Sequence, residues 1–202
     1  MISLVDHPIG RIRIALQELG LGLVDNTLVV FTSDHGEWLG DHGLLAKGPM
    51  AYEGLLRVAL LCEGPGITAG RRIDEPVSTL DLANTLCDYA GAPLPVATHG
   101  RSLRGLIEAD GSTRDFARSE WHLRPSRSGV ELRLQTVRTR RHKLSLEQIS
   151  GVGEMYDLQE DPGEMHNCFD DPGYAAIRRE LCDMIAERPD DAVAPLAQVG
   201  MA

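Results

Sequence analysis

Asn26-Thr-Leu-Val-Val-Phe-Thr-Ser-Asp-His-Gly-Glu-Trp-Leu-Gly-Asp-His-Gly-Leu-Leu-Ala-Lys47-Gly48 is the stretch on which the reading of this chain turns. Thr27 to Thr32 is an apolar, β-branched run of the kind that forms a strand covered on both faces in a parallel sheet. It stops at Ser33-Asp34-His35-Gly36, where a carboxylate and an imidazole sit side by side and a glycine frees the backbone to turn. In open α/β sheets the chemistry collects beyond the carboxyl ends of the strands, which is where this cluster falls. Asp41, His42 and Lys47 follow within reach of the same crevice. Asp-His-Gly is also an ordinary turn sequence. The strand before it, its repetition at Asp41-His42-Gly43 and the lysine after it favour a metal that meets an anionic substrate, with Lys47 as a compact positive charge.

Composition narrows the classes. The chain has 202 residues, 43% hydrophobic and 25% charged, as in an ordinary globular protein with mass for a sizeable core. A formal net charge of −10 argues against a nucleic-acid binder and against docking on an anionic membrane. No apolar run approaches the roughly 20 residues that cross a bilayer. No basic segment followed by an apolar core opens the chain, so a cytoplasmic location is expected. Cys62, Cys87, Cys168 and Cys182 are widely spaced without a C-x-x-C pair, so reduced thiols are expected.

Outward from the central stretch, Ile2, Val5, Ile9, Ile12, Leu16 and Leu19 draw one apolar stripe down a helix that Gly20 stops, with Pro8 awkward near its start. Arg57–Cys62 reads as a second buried strand and Gly64-Pro65-Gly66 as a turn. Asp81–Ala90 reads as a helix capped by Thr79 or Asp81 and ended by Gly91 and Pro93; Ser102–Glu108 suggests a further helical turn. Phe116–Trp121, Leu132–Arg138, His142–Leu146 and Glu154–Leu158 suggest an antiparallel meander. Ala175–Ile185 is an amphipathic helix, and residues 188–202 read as a loose tail. The run from Arg138 to Lys143 is read as a solvated hairpin rather than an anion site.

The run Phe31-Thr-Ser-Asp-His-Gly-Glu-x-Leu-Gly-Asp-His-Gly-Leu-x-x-Lys-Gly48 resembles the motif of the sulfatase family, in the alkaline-phosphatase-like superfamily. The resemblance continues through Pro49–Glu53, Leu56-Arg57-Val58, Gly64-Pro65-Gly66, Ser78–Leu82, His99–Leu103, Glu154–Leu158, Asp161-Pro162 and Glu164. The family includes arylsulfatases, choline and iduronate sulfatases and phosphonate monoester hydrolases. It implies an α/β fold: part of a mixed or parallel sheet flanked by helices in residues 1–112, then a small antiparallel sheet with a packed helix in 113–202. It implies metal-dependent hydrolysis of sulfate, phosphonate or phosphate monoesters of small molecules. Asp34 and His35 would then be metal ligands, Lys47 would contact the sulfate or phosphonate group, and His42 would donate a proton or hydrogen bond near the leaving group. The ion would be Ca²⁺, with Mn²⁺ or Mg²⁺ as alternatives. Asn84 stands where the family usually has proline.

The family's nucleophile, a Cys or Ser in C-x-P-x-R or S-x-P-x-R converted to formylglycine, has no counterpart in this sequence. Nor does the family's first pair of metal-binding aspartates. The expectation is therefore a carboxyl-terminal half that self-associates or pairs with a separately encoded amino-terminal half, and that shows no turnover alone. A non-catalytic oligomerising or binding module is the alternative. Phosphoethanolamine transferases and phosphodiesterases of the superfamily carry similar Asp-His runs and form a third reading.

Overall fold

The computed structural model describes residues 2–20, 22–94, 96–109, 111, 114–125 and 129–191. The chain forms two compact units: Met1–Ser33 with Ala59–Arg72, and Asp34–Val58 with Ile73–Ala202. Most of the expected tail lies outside the described residues.

The first unit contains helix α1 (Ile2–Glu18) and two strands, β1 (Val29–Thr32) and β2 (Leu60–Glu63). The expected stripe on α1 forms but is not covered. Ile2, Val5, Ile12 and Leu19 are exposed, and only Ile9 and Leu16 are half-buried. Pro8 lies inside the helix, near enough to its start to be tolerated. The β strands also depart from expectation. They pair antiparallel, with Val30 opposite Cys62 and Phe31 opposite Leu61, and β1 is half-buried rather than enclosed. An apolar run specifies a strand but not its direction. Parallel neighbours need a crossover, usually a helix, whereas the segment between these two strands carries only two single turns, Asp41–Gly43 and Glu53–Leu56.

In the second unit, α2 (Glu53–Leu56) follows the motif loop. Helix α3 (Asp81–Ala90) has the expected bounds, and Gly91 ends it in the left-handed conformation at φ 62°. Its cap differs from expectation. Leu80 holds the N-cap position without a side-chain bond. Buried Asp81 instead accepts the N–H groups of Ser78 (2.8 Å) and Arg101 (2.9 Å) and pairs with Arg114, which ties the loop around Arg101 to the helix. Helix α4 (Arg104–Glu108) follows.

The four-stranded meander forms as expected, each strand antiparallel to the next: β3 (Phe116–Leu123), β4 (Leu132–Thr139), β5 (His142–Glu147) and β6 (Gly153–Asp157). Strand alternation gives the central strands two different faces. Val137, Leu144 and Met155 form one row and are fully buried against Leu181 and Ile185 of helix α5 (Ala175–Ala186). Arg118 donates to the carbonyl oxygens of Met184 and Ile185, supplying partners to the last turn of α5. The next row, Arg138, Lys143 and Tyr156, faces the other way. The four cysteines are free thiols, and no helix among the described residues is long and apolar enough to cross a membrane.

Candidate functional site

The motif loop is a small hairpin standing on a buried tryptophan. Trp38 N–H donates to the Ala46 carbonyl (3.2 Å) and Gly40 N–H to the Leu44 carbonyl (2.8 Å), leaving Asp41–Gly43 at the tip. Trp38 packs with Tyr52, Leu55 and Tyr156 in a cluster separate from the α5 core. The stem docks on α2 through Gly36, whose N–H donates 2.8 Å to the Leu55 carbonyl. A Cβ at Gly36 would lie 2.0 Å from the Gly54 carbonyl oxygen, so only glycine fits. Leu39, His42 and Ala46 all adopt positive φ, at 51°, 54° and 61°. Such conformations cost about 1–3 kcal/mol each and cluster at functional segments.

Three of the expected site residues converge at the base of this hairpin. His35 Nδ1 lies 2.6 Å from the Gly36 carbonyl, which only accepts, so Nδ1 is the donor and Nε2 carries the lone pair. Lys47 Nζ donates to that Nε2 at 2.8 Å, and Asp34 Oδ2 lies 3.6 Å from it. The His35 N–H bond to Asp34 (3.0 Å) holds the Asp34 carboxyl below its ordinary value. An ionised carboxylate, an imidazole lone pair and an ammonium group thus share one solvent-facing point. As metal donors, Asp34 and His35 fit two positions of an ion's shell. Among the described residues no cluster of three or more His, Cys, Asp or Glu side chains is present. A Ca²⁺ shell takes six to eight oxygen-rich ligands, so these two would supply only part of one.

His42 is placed elsewhere on the loop. Its ring stacks on Tyr52, with centroids 3.7 Å apart and planes 5° from parallel. Tyr52 meets Tyr156 in turn, at 6.3 Å. Burial raises the pKa of both phenols, keeping them protonated.

The Arg138–Lys143 run, read from sequence as a solvated hairpin, is divided. Arg140 is exposed, but Lys143 is only 1% exposed and Arg138 is partly buried. Lys143 pairs with buried Glu164, lies 3.9 Å from Glu53, and donates to the Ala51 carbonyl at 2.6 Å. Glu164 accepts the Glu53 N–H at 2.6 Å, and Arg138 reaches Glu53 at 3.2 Å. Burial lowers the Lys143 ammonium's pKa, and the Glu164 carboxylate opposes that shift. Charge pattern alone misleads here, because strand parity sends Arg138 and Lys143 inward to a counter-charge far along the sequence. The resemblance supplied a signal in Tyr52-Glu53 and Glu164, but nothing local paired either with Lys143.

Residues 40–191 match the family model described as N-sulphoglucosamine sulphohydrolase, C-terminal. The chain is 35% identical over 190 residues to an N-acetylglucosamine-6-O-sulfatase of Bacteroides thetaiotaomicron, covering 91% of this chain and 33% of the relative. The phosphonate monoester hydrolase of Agrobacterium radiobacter superposes with a TM-score of 0.81 at 33% identity, covering 92% of this chain and 39% of that one. A structure in complex with its substrate D-glucosamine-2-N,6-O-disulfate superposes with a TM-score of 0.77, also at 33% identity, covering 92% of this chain and 38% of that one. The chain thus spans between a third and two fifths of the length of these relatives.

Proposed function

Because this chain belongs to the sulfatase family, with an alkaline-phosphatase-like α/β fold, we propose that it supplies part of a metal-dependent site for hydrolysing sulfate or phosphonate monoesters of small molecules. The observation that carries the reading is the convergence of Asp34, His35 and Lys47, with Lys47 Nζ 2.8 Å from His35 Nε2. Asp34 and His35 are the ligands offered to a divalent ion, Ca²⁺ first and Mn²⁺ or Mg²⁺ after it. When bound, such an ion supplies Lewis-acid polarisation of the ester oxygens. Lys47 then turns from the imidazole to the anion, donating to the oxygens on which charge builds. His42, on the hairpin tip, is assigned the proton or hydrogen bond to the leaving-group oxygen. No residue of this chain fits the formylglycine position, so the covalent step is not assigned to these side chains. Sulfated amino sugars are the favoured substrate class, since the relatives include an N-acetylglucosamine-6-O-sulfatase.

A second reading, a module that associates with a further copy or with another chain, rests on the exposed Ile2, Leu4, Val5, Ile12, Ile14 and Leu19 of the first unit. Sedimentation of the chain by itself tests self-association, since a strict monomer removes a further copy as the partner and leaves only another chain. The hydrolase reading is tested in an intact enzyme, in which the nucleophile is supplied alongside this chain, with a chromogenic aryl sulfate and an aryl phosphonate. Lys47→Ala should lower kcat/KM by roughly a hundredfold, the scale of losing one transition-state donor. Asp34→Ala should remove most activity and raise the metal requirement. Unimpaired turnover in both variants would remove the assignment.

A further inference from the structure

We infer that Lys143 is a positioning residue for His42, acting through a charged clamp on the segment that carries Tyr52. The inference rests on the proposed site only in giving His42 a task; the clamp itself stands on geometry. Lys143 holds the carbonyl before Tyr52, at Ala51, and Glu164 holds the N–H after it, at Glu53. Lys143 and Glu164 pair with each other, and Arg138 fixes the Glu53 side chain. Tyr52 is therefore pinned on both sides by side chains from strands β4 and β5 and from the turn after β6. Its ring meets that of Tyr156, the residue opposite Lys143 in the sheet, in a tilted contact and stacks with the ring of His42.

His42 needs such a support. Its backbone is left-handed at φ 54°, at the tip of a hairpin, and among the described residues no hydrogen bond orients its imidazole. The parallel stack on Tyr52 is the contact that sets the ring plane. Glu164, on the other side of the clamp, is itself left-handed at φ 56°. A conformation unfavourable for a glutamate is kept at the residue whose carboxylate reaches both Lys143 and the Glu53 N–H. A merely stabilising interior would be served as well by apolar residues of similar volume. A buried ammonium with a fixed carbonyl partner adds one backbone orientation, which an apolar residue cannot hold.

The test is proton NMR on the full isotope-labelled chain, reading the His42 ring protons. In the native chain they should lie upfield of a free imidazole and show ring-to-ring Overhauser contacts with Tyr52. Tyr52→Leu should abolish both, which assigns the signal. Lys143→Met should remove more than half of the upfield displacement while the Val137 and Leu144 methyl signals stay in place. Lys143→Met/Glu164→Gln removes the opposite charges together, and it too should lose the His42 displacement although its fold is kept. A full displacement in either folded clamp variant overturns the inference, as does its absence from the native chain. If neither clamp variant folds, Lys143 is a requirement of the fold and not a positioning residue. Turnover is not read in this experiment, so failure of the hydrolase reading would be seen separately.

Discussion

The two faces of the carboxyl-terminal sheet are built from adjacent residues of the same strands, yet they do different things. The side chains of Val137, Leu144 and Met155 are fully buried and pack on apolar partners on α5 and around it. One residue along, Arg138, Lys143 and Tyr156 meet Glu53, Glu164 and Tyr52 beneath the motif hairpin. The first face gains stability from area removed from water, a force without direction. The second desolvates charges, which recovers little net stability, but its hydrogen bonds have direction. The difference teaches that this sheet holds itself together with one face and orients the candidate site with the other.

Breaking the charged row on one side should have the largest effect on stability. Lys143→Met leaves Glu164 buried without its partner and should cost about 3–5 kcal/mol, the scale for an orphaned buried charge. Lys143→Met/Glu164→Gln should recover most of that loss in urea unfolding. If the double variant stays as unstable as the single one, the charged row is a stability element and the contrast between the faces fails. Leu144→Ala comes next, at about 2–5 kcal/mol for a fully buried leucine. It should leave the His42–Tyr52 contact unchanged; a moved His42 signal would show that the two faces are not separable.

Acid offers a smaller and graded probe at the edges of β5 and β6. Asp157 receives Arg141 and is held down to about 2, chiefly by that guanidinium. Glu147 is likewise held at about 2, chiefly by the Ser150 hydroxyl and by backbone N–H groups. Both pKa values lie below those of an unfolded chain, about 3.9 for Asp and 4.3 for Glu. Their contribution is therefore complete above those values and is lost as pH falls toward 2. Thermal melts should show stability declining between about pH 4.5 and 2, with a shallower decline in Asp157→Asn. A flat profile over that window would contradict the assignment. The smallest effect is expected in α1, where Ile12→Ser should shift stability by no more than about 0.5 kcal/mol, since Ile12 is exposed. A large loss would mean that Ile12 is covered in solution, which would favour the association reading.

Much of this was legible before any coordinates. Short runs separated by turns and charged loops place all four strands of the meander to within two residues, and the expected helix over Asp81–Ala90 has the observed bounds. Asp34, His35 and Lys47 were grouped from spacing and resemblance, and the loop brings them together. What failed to show was anything set by distant partners. The direction of β2 against β1 depends on how the intervening chain returns, not on the apolar run itself. The burial of Lys143 depends on Glu164, on the far side of β6, so a local count of charges reads it as solvated. The stripe on α1 was legible as a stripe, but a stripe does not say what covers it.

The most direct test of the central claim, that Asp34, His35 and Lys47 share one ion and one anion, is a Mn²⁺ titration followed by NMR of the labelled chain, with and without sulfate. The account predicts paramagnetic broadening centred on Asp34 and His35, abolished in Asp34→Ala. It further predicts that added sulfate displaces the Lys47 ammonium signal only when its contact with His35 Nε2 has been released by the metal. Broadening spread over the acidic surface, unchanged by Asp34→Ala, would contradict it.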